Sequence, residues 1–237
     1  MTPPDDMEPS DPSAAPAQSR LQTITCYLDF ISPFAWLAFS RLPQVLTGLT
    51  VDVRYKPVLF AAMLKQHGQL GPAEIMPKRD WTYRHVLWLA DSLGIDMQMP
   101  ASHPFNPLPL LRLAVGCSLK QEPGVVNRYV CETLFRHVWQ GGADAADDTR
   151  FAALAEHLLA QRRFDADQAK TLLSGNTAEA LEKGVFGVPS FEVDGKVFWG
   201  LDGLPMLRSY LDGSPWFATE AWDDARKVHV GIQRARA

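Results

Sequence analysis

A chain of 237 residues that is 46% hydrophobic, 10% aromatic and 21% charged has the length of one large domain, or of one domain carrying an insertion, and enough apolar material for a packed core. The composition excludes fibrous and wholly disordered chains. The lack of any run of about 18 apolar residues excludes a spanning helix and a membrane role, and three cysteines are too few for a closed disulfide framework, which points to a reducing, cytoplasmic setting. Of the net charge of −4, most sits in residues 1–20, where Asp5, Asp6, Glu8 and Asp11 outnumber the one base, Arg20. The remainder is nearly neutral and lacks the clustered basic face that a nucleic-acid partner requires.

Residues 1–20 hold five of the 18 prolines and show no apolar periodicity, so they read as a disordered tail without the features of a secretory signal. Residues 21–213 read as one domain. The β-branched and aromatic run over 24–30 predicts a strand. Ser32-Pro33 then offers an N-cap and a first-turn proline, opening a helix that runs to residue 42. Alternation of Val51, Val53 and Tyr55 predicts a second strand over 49–55, completing a parallel strand–helix–strand half, about 23–76. Residues 77–183 read as helical: 78–93 with Trp81, His85 and Trp88 at helical spacing, 108–119, 124–139, and shorter helices over 150–161, 165–173 and 177–183. Strands return over 190–193 and 196–199, joined by Asp194-Gly195, a strong hairpin turn. A last helix over 203–211 closes the second half, about 184–212, and 214–237 predicts a helical extension. The order βαβ, helical block, ββα is an α/β fold on the thioredoxin plan, with a large all-helical insertion between its halves.

Ser32 is explained by its N-cap role alone, yet a helix start also favours negative charge. Thioredoxin-like proteins place the nucleophilic cysteine of a C-x-x-C motif there. This chain has Ser32-Pro33-Phe34-Ala35, so dithiol–disulfide exchange is excluded at this point and a thiolate has to arrive on a ligand. Pro189, in Gly187-Val188-Pro189-Ser190, marks either the edge of the sheet or a cis proline facing the helix start, with Val188 exposing its backbone to an extended peptide. Asp202 is an N-cap for the last helix, a partner for a ligand ammonium group, or both. Lys78 is a surface lysine that gains a role only beside a ligand carboxylate. The six histidines show no metal-ligand spacing. Cys26, Cys117 and Cys131 read as buried structural residues, and Trp81, Trp88 and Trp139 as core.

Four spaced motifs carry a family resemblance. They are Tyr27-Leu28-Asp29-Phe30-Ile31-Ser32-Pro33-Phe34-Ala35-Trp36; Pro77-Lys78-Arg79; His103-Pro104-Phe105-Asn106-Pro107-Leu108-Pro109 with Leu111-Arg112-Leu113-Ala114; and Gly184-Val185-Phe186-Gly187-Val188-Pro189-Ser190 with Phe198-Trp199-Gly200-Leu201-Asp202-Gly203-Leu204. Over about 23–212 the chain resembles the 2-hydroxychromene-2-carboxylate isomerases, relatives of kappa-class glutathione transferases in the DsbA-like branch of the thioredoxin superfamily. The resemblance implies glutathione as cofactor. It implies Ser32, followed by Pro33, on the thiolate, and Val188 before cis Pro189 on the cysteinyl backbone. It places Trp199, Gly200, Leu201 and Asp202 at the γ-glutamyl end and Lys78 on the glycyl carboxylate. It implies a reversible isomerisation of a small aromatic ring-cleavage product, 2-hydroxychromene-2-carboxylate to trans-o-hydroxybenzylidenepyruvate or a close analogue, as in naphthalene degradation. The thiolate adds to the conjugated system, the bond rotates, and elimination regenerates glutathione. The aromatic substrate would meet Gly68, Gln69, Trp81, Phe105 and Asn106, in a cytoplasmic homodimer. A kappa-like transferase that consumes glutathione, and a non-catalytic DsbA-like binding protein, are the rival readings.

Overall fold

The structure, a computed structural model, describes residues 21–160 and 164–232; the tail read over 1–20, residue 161 of one expected helix and the last residues of the C-terminal extension lie outside them. Four strands, β1 (Gln22–Leu28), β2 (Val51–Pro57), β3 (Ser190–Val193) and β4 (Lys196–Trp199), form one mixed sheet in the order β2-β1-β3-β4. β1 and β2 are parallel, with Gln22 opposite Val51. β3 runs antiparallel to β1, with Tyr27 opposite Ser190, and pairs with β4 in a hairpin. Asp194 and Gly195 turn that hairpin with φ of 50° and 76°, the two positive angles that a tight turn between right-twisted strands needs.

Helices α1 (Pro33–Val45), α2 (Phe60–His67), α3 (Met76–Leu93), α4 (Leu108–Gly116), α5 (Arg128–Trp139), α6 (Asp148–Leu159), α7 (Ala166–Glu182) and α8 (Leu204–Leu211) complete the domain. The period of two along β1 sorts its side chains to opposite faces. Ile24, Cys26 and Leu28 enter the main core with Leu37 and Phe39 of α1, Phe135 and Trp139 of α5, and Leu204 and Leu207 of α8. Tyr27 faces the other way, against Val58, Met63 of α2, Ala180 of α7, and Val185 and Val188. No helix among the described residues is long and apolar enough to cross a membrane.

Several expected boundaries shift, each for a tertiary reason. The expected helix over 124–139 starts only at Arg128. Val126 donates its N–H to the Tyr55 carbonyl at 2.8 Å, and Asn127 caps the helix by accepting from the Val130 N–H at 2.9 Å. The two short helices over 165–173 and 177–183 are one helix, α7. At the gap expected over 174–176, Asn176 and the neighbouring Thr177 are buried and satisfied. The Asn176 amide donates to the carbonyls of Pro57 (3.1 Å) and Gly124 (2.9 Å), while the Thr177 hydroxyl accepts from the Leu59 N–H (3.0 Å) and donates to the Leu173 carbonyl (2.8 Å). Helix α2 was not expected; Gly68, left-handed at φ 61°, ends it. The extension beyond 214 is a short helix, α9 (Ala221–Asp224), between single 3₁₀ turns. Phe217, edge-on, and Trp222, tilted, pack against Phe198 of β4, at 6.1 and 5.6 Å between ring centroids.

β1 stops at Leu28, short of the expected boundary, because Asp29 turns the chain. Its carboxylate accepts from the Ile31 N–H at 3.1 Å and the Phe60 N–H at 3.0 Å. Its carbonyl accepts from the Ser32 N–H at 3.1 Å. This Asx-type turn brings the starts of α1 and α2 together. Asp29 is fully buried; burial pushes its carboxyl up to about 7, against the downward pull of the Phe60, Ile31 and Phe30 amides.

Two stability predictions follow from these buried polar groups. The folded Asp29 holds its proton more tightly than an unfolded aspartate with a pKa of about 4. Wild-type stability relative to Asp29→Asn therefore falls as pH rises from about 4 to about 7 and is level on either side. Denaturant melts across that range measure this, and a difference that ignores pH contradicts it. Asn176→Ala leaves two buried carbonyls without a donor and costs about 2–3 kcal/mol, read from the urea midpoint; a loss under about 0.5 kcal/mol would refute the bridging role.

Candidate active site

Ser32 is the N-cap of α1, with extended φ −88° and ψ 116°, and Pro33 is the first helical residue. The cap fixes the hydroxyl: Oγ accepts from the Ala35 N–H at 3.2 Å and donates to the Val188 carbonyl at 3.4 Å. The second contact is long for an O–H···O bond, hence weak and easily exchanged. Ser32 is only 9% exposed, so a charge beside it sits in a partly desolvated spot. The Phe34 N–H, one of the helix's leading amides, has no partner among the described residues. A hydroxyl and a free amide at a helix start together form a donor pair for an anion.

The opposite wall is Val188 and Pro189, joined by a cis peptide bond as the thioredoxin plan anticipates. The Val188 N–H has no partner among the described residues, so both backbone groups of this residue are available to an extended ligand. The Pro189 carbonyl accepts from the Gly200 N–H at 2.9 Å, which ties the turn of residues 199–203 to the same corner. That turn is tight. Gly200 has φ 85°, and a Cβ on Gly203 would lie 2.4 Å from the Trp199 carbonyl oxygen. The reading of Asp202 as a helix cap is overturned: α8 is capped by Gly203 with no side-chain bond. Asp202 is exposed, its carboxylate folded back over Gly200 and clear of the helix amides. Leu201 packs on the main core, and Trp199 is 51% exposed beside the Phe186 ring.

Ser32, Pro33, Val188, Pro189 and the 199–202 turn thus meet in one corner, linked by the Ser32–Val188 and Gly200–Pro189 hydrogen bonds. The other candidates lie around it less directly. Lys78 is exposed in the first turn of α3, with no ion-pair partner among the described residues. Trp81 and Trp88, expected in the core, are each 64% exposed: α3 turns their shared face outward, where both rings stack on His85, at 5.8 and 6.3 Å. His85 in turn meets the edge of Phe34 at 6.0 Å, so this aromatic face leads back to the start of α1. Gly68 and Gln69 are exposed at the end of α2. Phe105 packs partly buried against the core and the His103 ring. Asn106 accepts from the Leu108 N–H at 3.1 Å, which gives it a structural role at the start of α4.

The chain supplies no thiolate of its own in this corner. Cys26, Cys117 and Cys131 are all buried, as their apolar settings suggested. Burial pushes the Cys26 thiol up to about 12 and the Cys131 thiol well above its usual range, so both stay protonated and inert. A separate cavity of about 430 Å³, between α2, α4 and α7, is lined by Leu59, Arg112 and Leu173 among others and by none of the corner residues. Sequence reasoning missed Asp29, Tyr83 and His103. The signal for Asp29 was a lone acid ending an apolar strand; His103 stood in a quoted motif, but nothing local assigned it a partner.

Comparison with known proteins identifies the family of this fold. The DSBA-like thioredoxin domain matches residues 23–212. A 2-hydroxychromene-2-carboxylate isomerase of Sphingobium xenophagum is 27% identical over 201 residues, 80% of this chain and 98% of its own. Glutathione S-transferase kappa 1 of Rattus norvegicus is 23% identical over 214 residues, 82% of this chain and 92% of its own. A solved 2-hydroxychromene-2-carboxylate isomerase shares the fold, with a TM-score of 0.61 at 23% identity over 87% of this chain and 100% of the other. With about four-fifths of its length inside the matched span, the chain belongs to the DSBA-like thioredoxin family, in which it carries serine at the helix start in place of the C-x-x-C cysteine.

Proposed function

We propose that this protein is a glutathione-dependent isomerase of an aromatic ring-cleavage product, 2-hydroxychromene-2-carboxylate or a close analogue, acting in the cytoplasm as a homodimer. The observation that carries the reading is the Ser32 hydroxyl at a helix start, 3.4 Å from the Val188 carbonyl, in a corner with no cysteine. The donor set fits a cysteinyl peptide: one hydroxyl and one free amide for sulfur, and, for the peptide itself, the free Val188 N–H and the Val188 carbonyl, held only by its long bond from Ser32. Bound glutathione supplies a thiolate that adds to the conjugated double bond and leaves after rotation, so it is regenerated.

The chain's own residues make that thiolate available and hold it. Val188 pairs its N–H and carbonyl with the cysteinyl residue as an added strand. Its carbonyl is then taken, and the Ser32 hydroxyl turns from that weak bond towards sulfur. Ser32, the Phe34 amide and the α1 dipole favour the ionised form of a thiol whose free pKa is near 8.5. Asp202, with Gly200 and Leu201, meets the γ-glutamyl ammonium, and exposed Lys78 meets the glycyl carboxylate. The flat substrate lies along Trp81, with Phe105, Asn106, Gly68 and Gln69 as further contacts.

A kappa-like transferase is the second reading, supported by the match to glutathione S-transferase kappa 1. Turnover with labelled glutathione separates the two: an isomerase returns the label unchanged, whereas a transferase leaves it on the product. Ser32→Ala should lower turnover at pH 7 by about ten- to a hundredfold. The deficit should shrink as pH approaches about 8.5, where the thiol ionises unaided. The fold should survive, since losing this cap costs about 1 kcal/mol. Equal turnover in the variant at pH 7 would reject the thiolate role.

A further inference from the structure

Residues 29–32 connect β1 to α1 and present Ser32. Two carbonyls of this loop are gripped by side chains of the helical insertion. The Trp139 indole N–H of α5 donates to the Phe30 carbonyl at 3.0 Å, and His103 Nε2 lies 2.8 Å from the Ile31 carbonyl oxygen. A carbonyl only accepts, so Nε2 carries the imidazole proton and Nδ1 is the acceptor. The Tyr83 hydroxyl of α3 lies 2.7 Å from Nδ1 and 2.8 Å from the His103 carbonyl, and shares its one proton between these two acceptors. Burial lowers the imidazole pKa, against the raising effect of the Ile31 bond, which favours the neutral ring. The ring is clamped among Tyr83 (5.4 Å), Trp139 (5.6 Å) and Phe105 (6.1 Å).

Phe30 and Ile31 immediately precede the N-cap, whose own carbonyl takes the Ala35 and Trp36 amides at 3.1 and 3.2 Å. The Phe34 N–H, without an intrahelical partner in this first turn, stands beside the serine. We propose that His103, oriented by Tyr83 and seconded by Trp139, is a positioning residue for Ser32, so that the helical insertion sets the direction of the hydroxyl and of the adjoining amide towards the bound thiolate. The thiolate part rests on the function proposed above; the loop-holding part does not. His103 touches no reacting atom and acts only through the Ile31–Ser32 peptide.

The test compares full-length wild type with His103→Leu, His103→Gln and Tyr83→Phe. Gln keeps a donor near Nε2, Leu removes it, and Phe removes only its orienting partner. In the ligand-free protein, His103→Leu should speed amide exchange over residues 30–35 by about tenfold or more, while the hairpin of β3 and β4 keeps its protection. With glutathione bound, the thiolate absorbance near 240 nm should titrate with an apparent pKa about half a unit or more higher. Gln should restore both readouts, and Tyr83→Phe should move both part of the way, which serves if the Leu variant does not fold. Unchanged local exchange in the Leu and Phe variants overturns the proposal. So does faster exchange spread evenly over the whole sheet, or a loss that Gln fails to restore. If wild type itself develops no thiolate signal, the proposed function fails, and the exchange comparison still decides whether His103 holds the loop.

Discussion

The rest of the site depends on one short backbone turn. Asp29 ends β1 by taking the amides of Ile31 and Phe60, and four residues later α1 has begun. In that space the chain reverses from a buried strand to a helix start and leaves one hydroxyl pointing across at Val188. Every donor that could meet an anion there is either part of this turn or directly attached to it. The turn can be so short because its polar groups are satisfied from outside it. Asp29 serves two amides, and side chains from the insertion serve two carbonyls. An unpaired backbone group in such a buried place would cost as much as the loop could gain.

The sheet explains why the second half of the domain lies opposite. β3 runs antiparallel to β1, so its entry, Val188-Pro189, falls at the end of β1 where Ser32 stands. The Gly200 N–H then fastens the exit of the hairpin to the Pro189 carbonyl. A shared corner therefore arises from strand order alone, and its chemistry is set by which residues occupy it. With serine at the helix start and all three cysteines buried, the corner offers hydrogen-bond donors but no thiol of its own.

What could be read from the sequence is what local chemistry dictates. Ser32-Pro33 as a helix start and Asp194-Gly195 as a hairpin turn follow from backbone preferences that need no tertiary partner, and both stand in the structure. The two halves of the fold, and the pairing of Val188 with Ser32, followed from the order of elements. What could not be read depends on distant contacts. Asn176 falls in the gap between two expected helices, and its partners Pro57 and Gly124 are more than 50 positions away in each case. Trp81 and Trp88 have core spacing, but α3 lies at the periphery, and only packing reveals which face it turns out. Asp202 has the sequence position of a cap, and the tightness of the Gly200 turn carries its carboxylate elsewhere. The His103 bond to Ile31 spans 72 positions, beyond the reach of any local pattern.

The most direct measurement is the crystal structure of the protein soaked with glutathione. The expected result is the cysteinyl residue paired with both backbone groups of Val188, its sulfur within about 3.5 Å of the Ser32 oxygen and facing the Phe34 amide. A tripeptide bound in another part of the surface, or a sulfur turned away from Ser32 while the backbone pairs with Val188, would contradict the idea that the helix start keeps a borrowed thiol ionised.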